Sequence, residues 1–174
     1  MKEKFVAFFS DEKIKTGIWY TMLNSCFVYL ISFKYFVHLF ADVASQHPVY
    51  SVAAIISHFT MMSFLPFLCL FLPVYCLSKK YVAAKYATMV VTMVALVVLL
   101  IDAYVFSLYR FHINSYVIEQ VFGPASGQVF EFTIGQYAMI GGLILLLLLI
   151  QYGLFRIAEK LSGKTNHSLF LALG

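Results

Sequence analysis

The stretch Leu99-Leu100-Ile101-Asp102-Ala103-Tyr104-Val105-Phe106-Ser107-Leu108-Tyr109-Arg110-Phe111-His112-Ile113-Asn114 starts inside an apolar run long enough to cross a bilayer. It then places a carboxylate at Asp102 and ends in an aromatic and basic patch. A charged side chain at mid-bilayer costs roughly 2.5–3.5 kcal/mol on insertion scales, so Asp102 is expected to have a partner or a job. What surrounds Asp102 therefore organises the reading of the rest of the chain.

Composition makes the apolar run part of a pattern. Of 174 residues, 62% are hydrophobic and 11% charged, and the mean hydropathy is +0.87. A soluble domain carries about 25% charged residues, so the composition is that of an integral membrane protein. The 18 Phe and 12 Tyr against a single Trp suit lipid-facing helices and interfacial belts. The net charge of +4 is scattered and forms no basic stripe, which argues against nucleic acid as a partner. Cys26, Cys69 and Cys76 all fall in apolar runs and read as small packing residues rather than a disulfide framework.

An all-α integral membrane fold is expected, with four transmembrane helices and the start of a truncated fifth. Residues 1–16 read as a cytoplasmic or interfacial segment around the patch Phe5-Val6-Ala7-Phe8-Phe9, and residues 17–174 as the helical membrane domain. The helices are expected at about 17–40, 50–77, 86–106 and 136–155, each near the ~20 residues that cross a ~30 Å core. The first is too long for a signal-peptide h-region and should stay in the mature protein. Pro66 and Pro73 should bend the second helix. Gly141-Gly142 on the fourth offers close helix contact. Between the third and fourth, Gly123-Pro124-Ala125-Ser126-Gly127 is a turn flanked by amphipathic pieces at 116–122 and 129–134, read as an interfacial hairpin. Arg156, Glu159, Lys160 and Lys164 read as a polar loop, and the apolar run from about residue 168 as the fifth helix cut short.

Orientation follows from the cations. Lys2, Lys4, Lys13, Lys15, Lys79, Lys80, Lys85, Arg156, Lys160 and Lys164 fall on one side, whereas Lys34 and Arg110 lie near the other. The positive-inside rule puts the N-terminus in the cytoplasm.

The stretch Asp102–Asn114 resembles the membrane domain of the YejM (PbgA, LapC) family, sulfatase-like inner-membrane proteins of Gram-negative bacteria. Gly17-Ile18-Trp19-Tyr20 with Asn24, the pair Lys34-Tyr35, Ile56-Ser57-His58-Phe59 and Leu72-Pro73 are similar to further pieces of that domain in the same order. The segment from Phe122 to Phe132 departs from the family pattern. The resemblance implies five membrane helices followed by a periplasmic domain of the alkaline-phosphatase superfamily. It implies a role in regulating lipopolysaccharide synthesis, through lipopolysaccharide and a LapB-like membrane protein that adjusts FtsH proteolysis of LpxC. On that reading this chain is the membrane module without its periplasmic domain, and its partners are membrane lipids, lipopolysaccharide among them, a LapB-like protein and its own periplasmic domain.

The residues themselves offer no catalytic constellation. There is no Gly-x-Ser-x-Gly elbow, phosphate loop or His-Glu-x-x-His, so no catalytic, cofactor or metal residues are assigned. His38, His58 and His112 show no spacing that puts two ligands on one helix face. Arg110 stands eight residues after Asp102, about 12 Å of rise and 80° of rotation away on a continuous helix, which disfavours direct contact. Lys34, on a helix parallel to the third and in the same half of the membrane, is expected to form an ion pair with Asp102, direct or bridged by water; two separately snorkelling groups are the alternative. Tyr109, Arg110, His112 and Asn114 are expected at the outer interface, touching lipid phosphate or a further domain, or serving only as anchor and helix cap. Asn24 and His58 are expected to make polar helix–helix contacts.

Three functions compete on these residues. One is a non-enzymatic regulatory membrane module. Another is the membrane anchor of an active periplasmic hydrolase or headgroup transferase of the alkaline-phosphatase superfamily. The third, a small four-helix carrier or redox subunit, calls for facing histidines or a polar cavity.

Overall fold

The computed structural model of the chain describes residues 10–42, 47–123 and 133–164. These form five helices and, among the described residues, no strand: α1 (Glu12–Asp42), α2 (Pro48–Ser78), α3 (Tyr81–Tyr109), the short α4 (Ser115–Phe122) and α5 (Ile134–Lys164). The chain runs up α1, down α2, up α3 and down α5. The start of α1 therefore shares one end of the bundle, the near end, with the turn between α2 and α3 and with the close of α5. At the far end α3 gives way to α4.

Among the described residues three helices, α2, α3 and α5, are long and apolar enough to cross a membrane. Four spans are expected from the sequence. The fourth candidate, α1, is as long at 31 residues, but it buries a polar stripe that includes Thr16, Thr21, Asn24, Ser25 and Ser32. That stripe turns inward because α1 is the central helix, packed against α2, α3 and α5 alike. Its hydroxyls are satisfied locally, as when Thr21 donates to the carbonyl of Gly17 at 2.9 Å and Ser25 to that of Thr21 at 3.0 Å.

Helix boundaries differ from the expected ones where buried or paired side chains extend a helix beyond its apolar run. α1 begins at Glu12 rather than 17 because Asp11 caps it, its Oδ1 accepting from the Lys13 amide at 2.8 Å. α3 begins at Tyr81 rather than 86 because Lys85 turns inward to an acid on α5. The expected polar loop from Arg156 to Lys164 is instead the last turns of α5, held by Phe155, Ala158 and Ser162, which are buried at helical spacing. The expected fifth helix from residue 168, the patch at residues 5–9 and the second half of the hairpin before Thr133 lie outside the described residues. The first half of that hairpin is α4.

The expected bend in α2 takes a specific form. Residues Phe67–Phe71 wind as a π-helical turn between two α-helical segments, with the Leu72 amide bonding to the Phe67 carbonyl. Pro66 and Pro73 bracket it, each lacking the amide that a regular helix would use, so the wider turn re-pairs the backbone. The turn pushes the rings of Phe67 and Phe71 into the core beside Tyr20, Met89 and Phe155. Gly17 makes this possible, because a Cβ there would stand 2.6 Å from the Phe67 ring and 2.8 Å from that of Phe71. Lys79, left-handed at φ 56°, closes α2 and leaves a two-residue turn into α3. The close contact expected of Gly141-Gly142 is not made by the described residues, since a Cβ on either meets nothing within 4 Å. That part of α5 is exposed along its whole circumference.

Candidate functional site

At the far end the third helix closes on itself around Asp102. Arg110 adopts the left-handed conformation at φ 62°, and its amide donates to the Phe106 carbonyl at 2.9 Å. This reverses the chain, so the segment after the helix descends beside the last turns of α3 instead of leaving them. Asp102 lies seven residues before the helix end, about 10 Å along the axis. The reversal brings two donors down to it: Ile113 gives its amide to Oδ1 at 2.6 Å, and His112 Nδ1 meets Oδ2 at 2.8 Å. Asn114 then caps α4, its Oδ1 accepting from the Val117 amide at 3.2 Å.

The third donor comes from α1. Tyr35 gives its hydroxyl hydrogen to Asp102 Oδ2 at 2.6 Å, and its ring is packed between α2 and α3. Ring centres lie 6.0 Å away at Phe59, 5.3 Å at Phe106 and 5.6 Å at His112, while Phe106 stacks on His112 at 4.8 Å. One carboxylate therefore ties α1, α3 and the connecting segment together, and Tyr35 carries the tie to α2.

The expected Lys34–Asp102 ion pair is not formed: the ion pairs among the described residues are Lys85–Glu159, His112–Asp102 and Arg156–Glu159. Lys34 instead extends over the ring of Tyr104, 5.6 Å from its centre. Successive residues on a helix are 100° apart, so when Tyr35 faces Asp102, Lys34 passes on the other side of α3. Tyr109 is exposed and stacks on Phe111 at 5.6 Å, and Arg110 is exposed beside it. Of the expected polar helix contacts, Asn24 makes one, accepting from Gln151 Nε2 on α5 at 2.8 Å. Among the described residues His58 makes no hydrogen bond to another helix; it is exposed and edges the ring of Phe59.

Below this knot a cleft of about 1280 Å³ runs between α2 and α3 with α1 as its floor. Val28, Ile55, Leu65, Leu70, Leu96 and Leu99 give it apolar walls. Tyr35, His58, Asp102 and His112 line its far end, and Asn24, Ser63 and Thr92 line it further in.

The near end holds a second carboxylate knot, which the sequence signals only as a count of cations. Glu159 Oε1 accepts from Lys85 Nζ at 2.8 Å and from the Tyr81 hydroxyl at 2.9 Å, and Arg156 reaches Oε2 at 3.4 Å. The Lys85 side chain is 10% exposed and lies over the ring of Phe155 at 5.1 Å. Further in, the Tyr20 hydroxyl donates to Gln151 Oε1 at 2.5 Å, and Thr16 bonds to Ser162 at 2.8 Å. Thr16, Tyr20 and Asn24 are spaced by four, so they form one stripe that α5 reads with Ser162 and Gln151.

Both knots are tethers: each carboxylate oxygen of Asp102 and Glu159 accepts from at least one donor. A family model described as "Domain of unknown function (DUF3413)" matches residues 10–172. No curated protein and no solved structure matches the chain.

Proposed function

Because the chain belongs to the family described as Domain of unknown function (DUF3413), we propose that it is the membrane module of a sulfatase-like bacterial inner-membrane protein that regulates lipopolysaccharide synthesis. It works through lipid contacts and through the membrane helices of a LapB-like partner. The observation that supports this reading is the far-end knot. The Asp102–Asn114 stretch, which carries the family resemblance, is a join hydrogen-bonded through Asp102 to α1 and to the segment after α3. It leaves Tyr109, Arg110 and Tyr116 on the exterior, where a lipid headgroup or a periplasmic domain would meet them.

The test uses the intact protein in cells whose chromosomal copy is deleted, with LpxC abundance and lipopolysaccharide content as readouts. Asp102→Ala is expected to lower regulation at normal membrane levels of the protein, and Lys34→Met to leave it intact. Photocrosslinkers on the exposed face of α5, at Gly141 for example, are expected to capture the LapB-like protein. Normal LpxC control in the Asp102→Ala strain, together with no capture from any long helix, sinks the proposal.

A further inference from the structure

The two halves of α2 are held in different ways. From Phe67 to Ser78 the helix is built into the sealed core. Phe71 is fully buried, its ring 6.3 Å from that of Tyr81 on α3 and 6.4 Å from that of Phe155 on α5. Tyr75, one turn on, donates its hydroxyl hydrogen to Asp11 at 2.8 Å. From Pro48 to Pro66 the same helix buries only Ser51 and Ser63. Among the described residues, the hydrogen bonds and ring contacts of this half with other helices all go to α1: Tyr29 bonds to Thr60, and Tyr35 stacks on Phe59.

The halves meet at an irregularity in the backbone ladder. The Phe67 amide bonds to the carbonyl of Phe64, three residues back, and the Leu72 amide to that of Phe67, five back. Pro66 and Pro73 supply no amide on either side. A regular helix bonds four back throughout, and departures of this kind inside a helix commonly mark hinges and functional sites. The outer half is 19 residues long, about 28 Å, so a tilt of about 10° at the turn carries its far end about 5 Å. The cleft on its α3 side leaves room for that movement. Tyr35 stands where the movement would be felt. Its ring meets Phe59 on the outer half, and its hydroxyl donates to Asp102 at 2.6 Å.

We propose that the outer half of α2 is a lever that pivots on the π turn, and that Tyr35 couples its position to the knot around Asp102. With the lever against α1, Phe59 holds the Tyr35 ring where its hydroxyl meets Asp102. With the lever swung out, the ring loses that support and the knot loosens. The coupling is reciprocal, so opening the knot frees the lever by the same free energy. The inference goes beyond the regulatory function proposed above and stands without it, because its readouts are conformational.

The intact protein in nanodiscs, carrying nitroxides on unnatural residues so that the native cysteines stay in place, tests this by pulsed spin–spin distances. Labels at the exposed Val49 and Leu108 report the far end, and labels at the exposed Leu77 and Ile157 the near end. The far-end distance distribution is expected to be about twice as wide as the near-end one. Deleting the exposed Leu68 turns the five-back bond from Leu72 to Phe67 into a regular four-back bond, and is expected to bring the far-end width down to the near-end value. Pro66→Ala with Pro73→Ala returns two amides at unchanged length and is expected to narrow it in part. The coupling is read at the Ile113 amide, which donates to Asp102. Phe59→Ala is expected to speed hydrogen exchange there about tenfold while Gln151 on α5 stays protected, and Asp102→Ala to widen the far-end distribution. A far-end distribution no wider than the near-end one, or a width unchanged in both hinge variants, overturns the lever. Ile113 exchange that Phe59→Ala leaves unmoved, or that rises equally at Gln151, overturns the coupling, as does a far-end width unchanged in Asp102→Ala.

Discussion

The two ends of the bundle solve the same problem differently. Each holds one carboxylate a few residues inside a helix end, Glu159 near and Asp102 far, and each satisfies it with a tyrosine from another helix. Glu159 adds two permanent cations, Lys85 and Arg156, in a region sealed by Tyr20, Phe71 and Phe155. Asp102 adds a backbone amide and one histidine whose side chain is 64% exposed, above an open cleft. The near end is a clamp that sets which helices are neighbours. The far end is a latch whose parts come from a turn and a short segment, so it can respond to what it touches. Function is expected at the latch, and stability at the clamp.

The largest effect that would break this contrast is at the clamp. Glu159→Gln leaves Lys85 charged in a pocket that is almost closed. Removing one partner of a buried pair costs 3–5 kcal/mol, and the partial exposure of Glu159 puts the expected loss at the lower end, about 3 kcal/mol. Unfolding in mixed micelles measures it, and replacing both partners, Lys85→Met with Glu159→Leu, should recover most of the loss. A loss below that of Asp102→Ala would remove the distinction between the ends.

Asp102→Ala comes next. It strands the Tyr35 hydroxyl and the Ile113 amide, at an expected cost of about 2 kcal/mol. The more diagnostic readout is local: hydrogen exchange at Ile113 and over α4 should accelerate while Gln151 and Phe155 on α5 stay protected. Global loosening instead would make the latch part of the clamp.

How much of this was legible in the sequence depends on what each residue's signal was. The apolar runs of α2, α3 and α5, the prolines in α2 and the importance of Asp102 were readable because lipid makes charge and hydropathy dominant. The partner of Asp102 was missed by one position. Lys34 and Tyr35 differ by 100° on α1, and no property of a single helix says which faces α3; formal charge favoured the lysine, whereas burial favours an aromatic that also carries a donor. Glu159 was visible only as part of a polar run. A short charged tail looks like a loop until the partner that buries it, Lys85, is placed beside it by tertiary structure. Asn24 was found, but its partner Gln151 lies 127 residues away, beyond any local pattern. His112 and Ile113 reach Asp102 only because Arg110 turns left-handed, a conformation that a non-glycine residue does not advertise.

Glycines sharpen the contrast at smaller magnitude. Gly17→Ala drives a Cβ against Phe67 and Phe71. Overpacking of roughly 1–3 kcal/mol, offset by about 1 kcal/mol of helix propensity, leaves a net loss of about 1 kcal/mol. Gly141→Ala meets nothing, so propensity acts alone and the helix should gain about 0.5–1 kcal/mol. Paired unfolding curves check both, and equal losses would mean that α5 is packed where it is exposed here.

The smallest effect separates the ends most cleanly, because each carries one left-handed non-glycine residue, Lys79 near and Arg110 far. Glycine at either position relieves about 1–2 kcal/mol of steric cost and gives back about 0.5–1 kcal/mol in unfolded-state entropy. Lys79→Gly also forfeits the ammonium over the Tyr75 ring at 5.6 Å, worth about 0.5 kcal/mol at an exposed site, so its net change should be close to zero. Arg110 makes no such contact among the described residues, and Arg110→Gly should stabilise by about 0.5 kcal/mol. If Arg110 is kept for the latch rather than for the fold, the more stable variant will regulate LpxC less well than the parent. A variant that gains stability with no loss of regulation would show that the turn needs only its backbone shape.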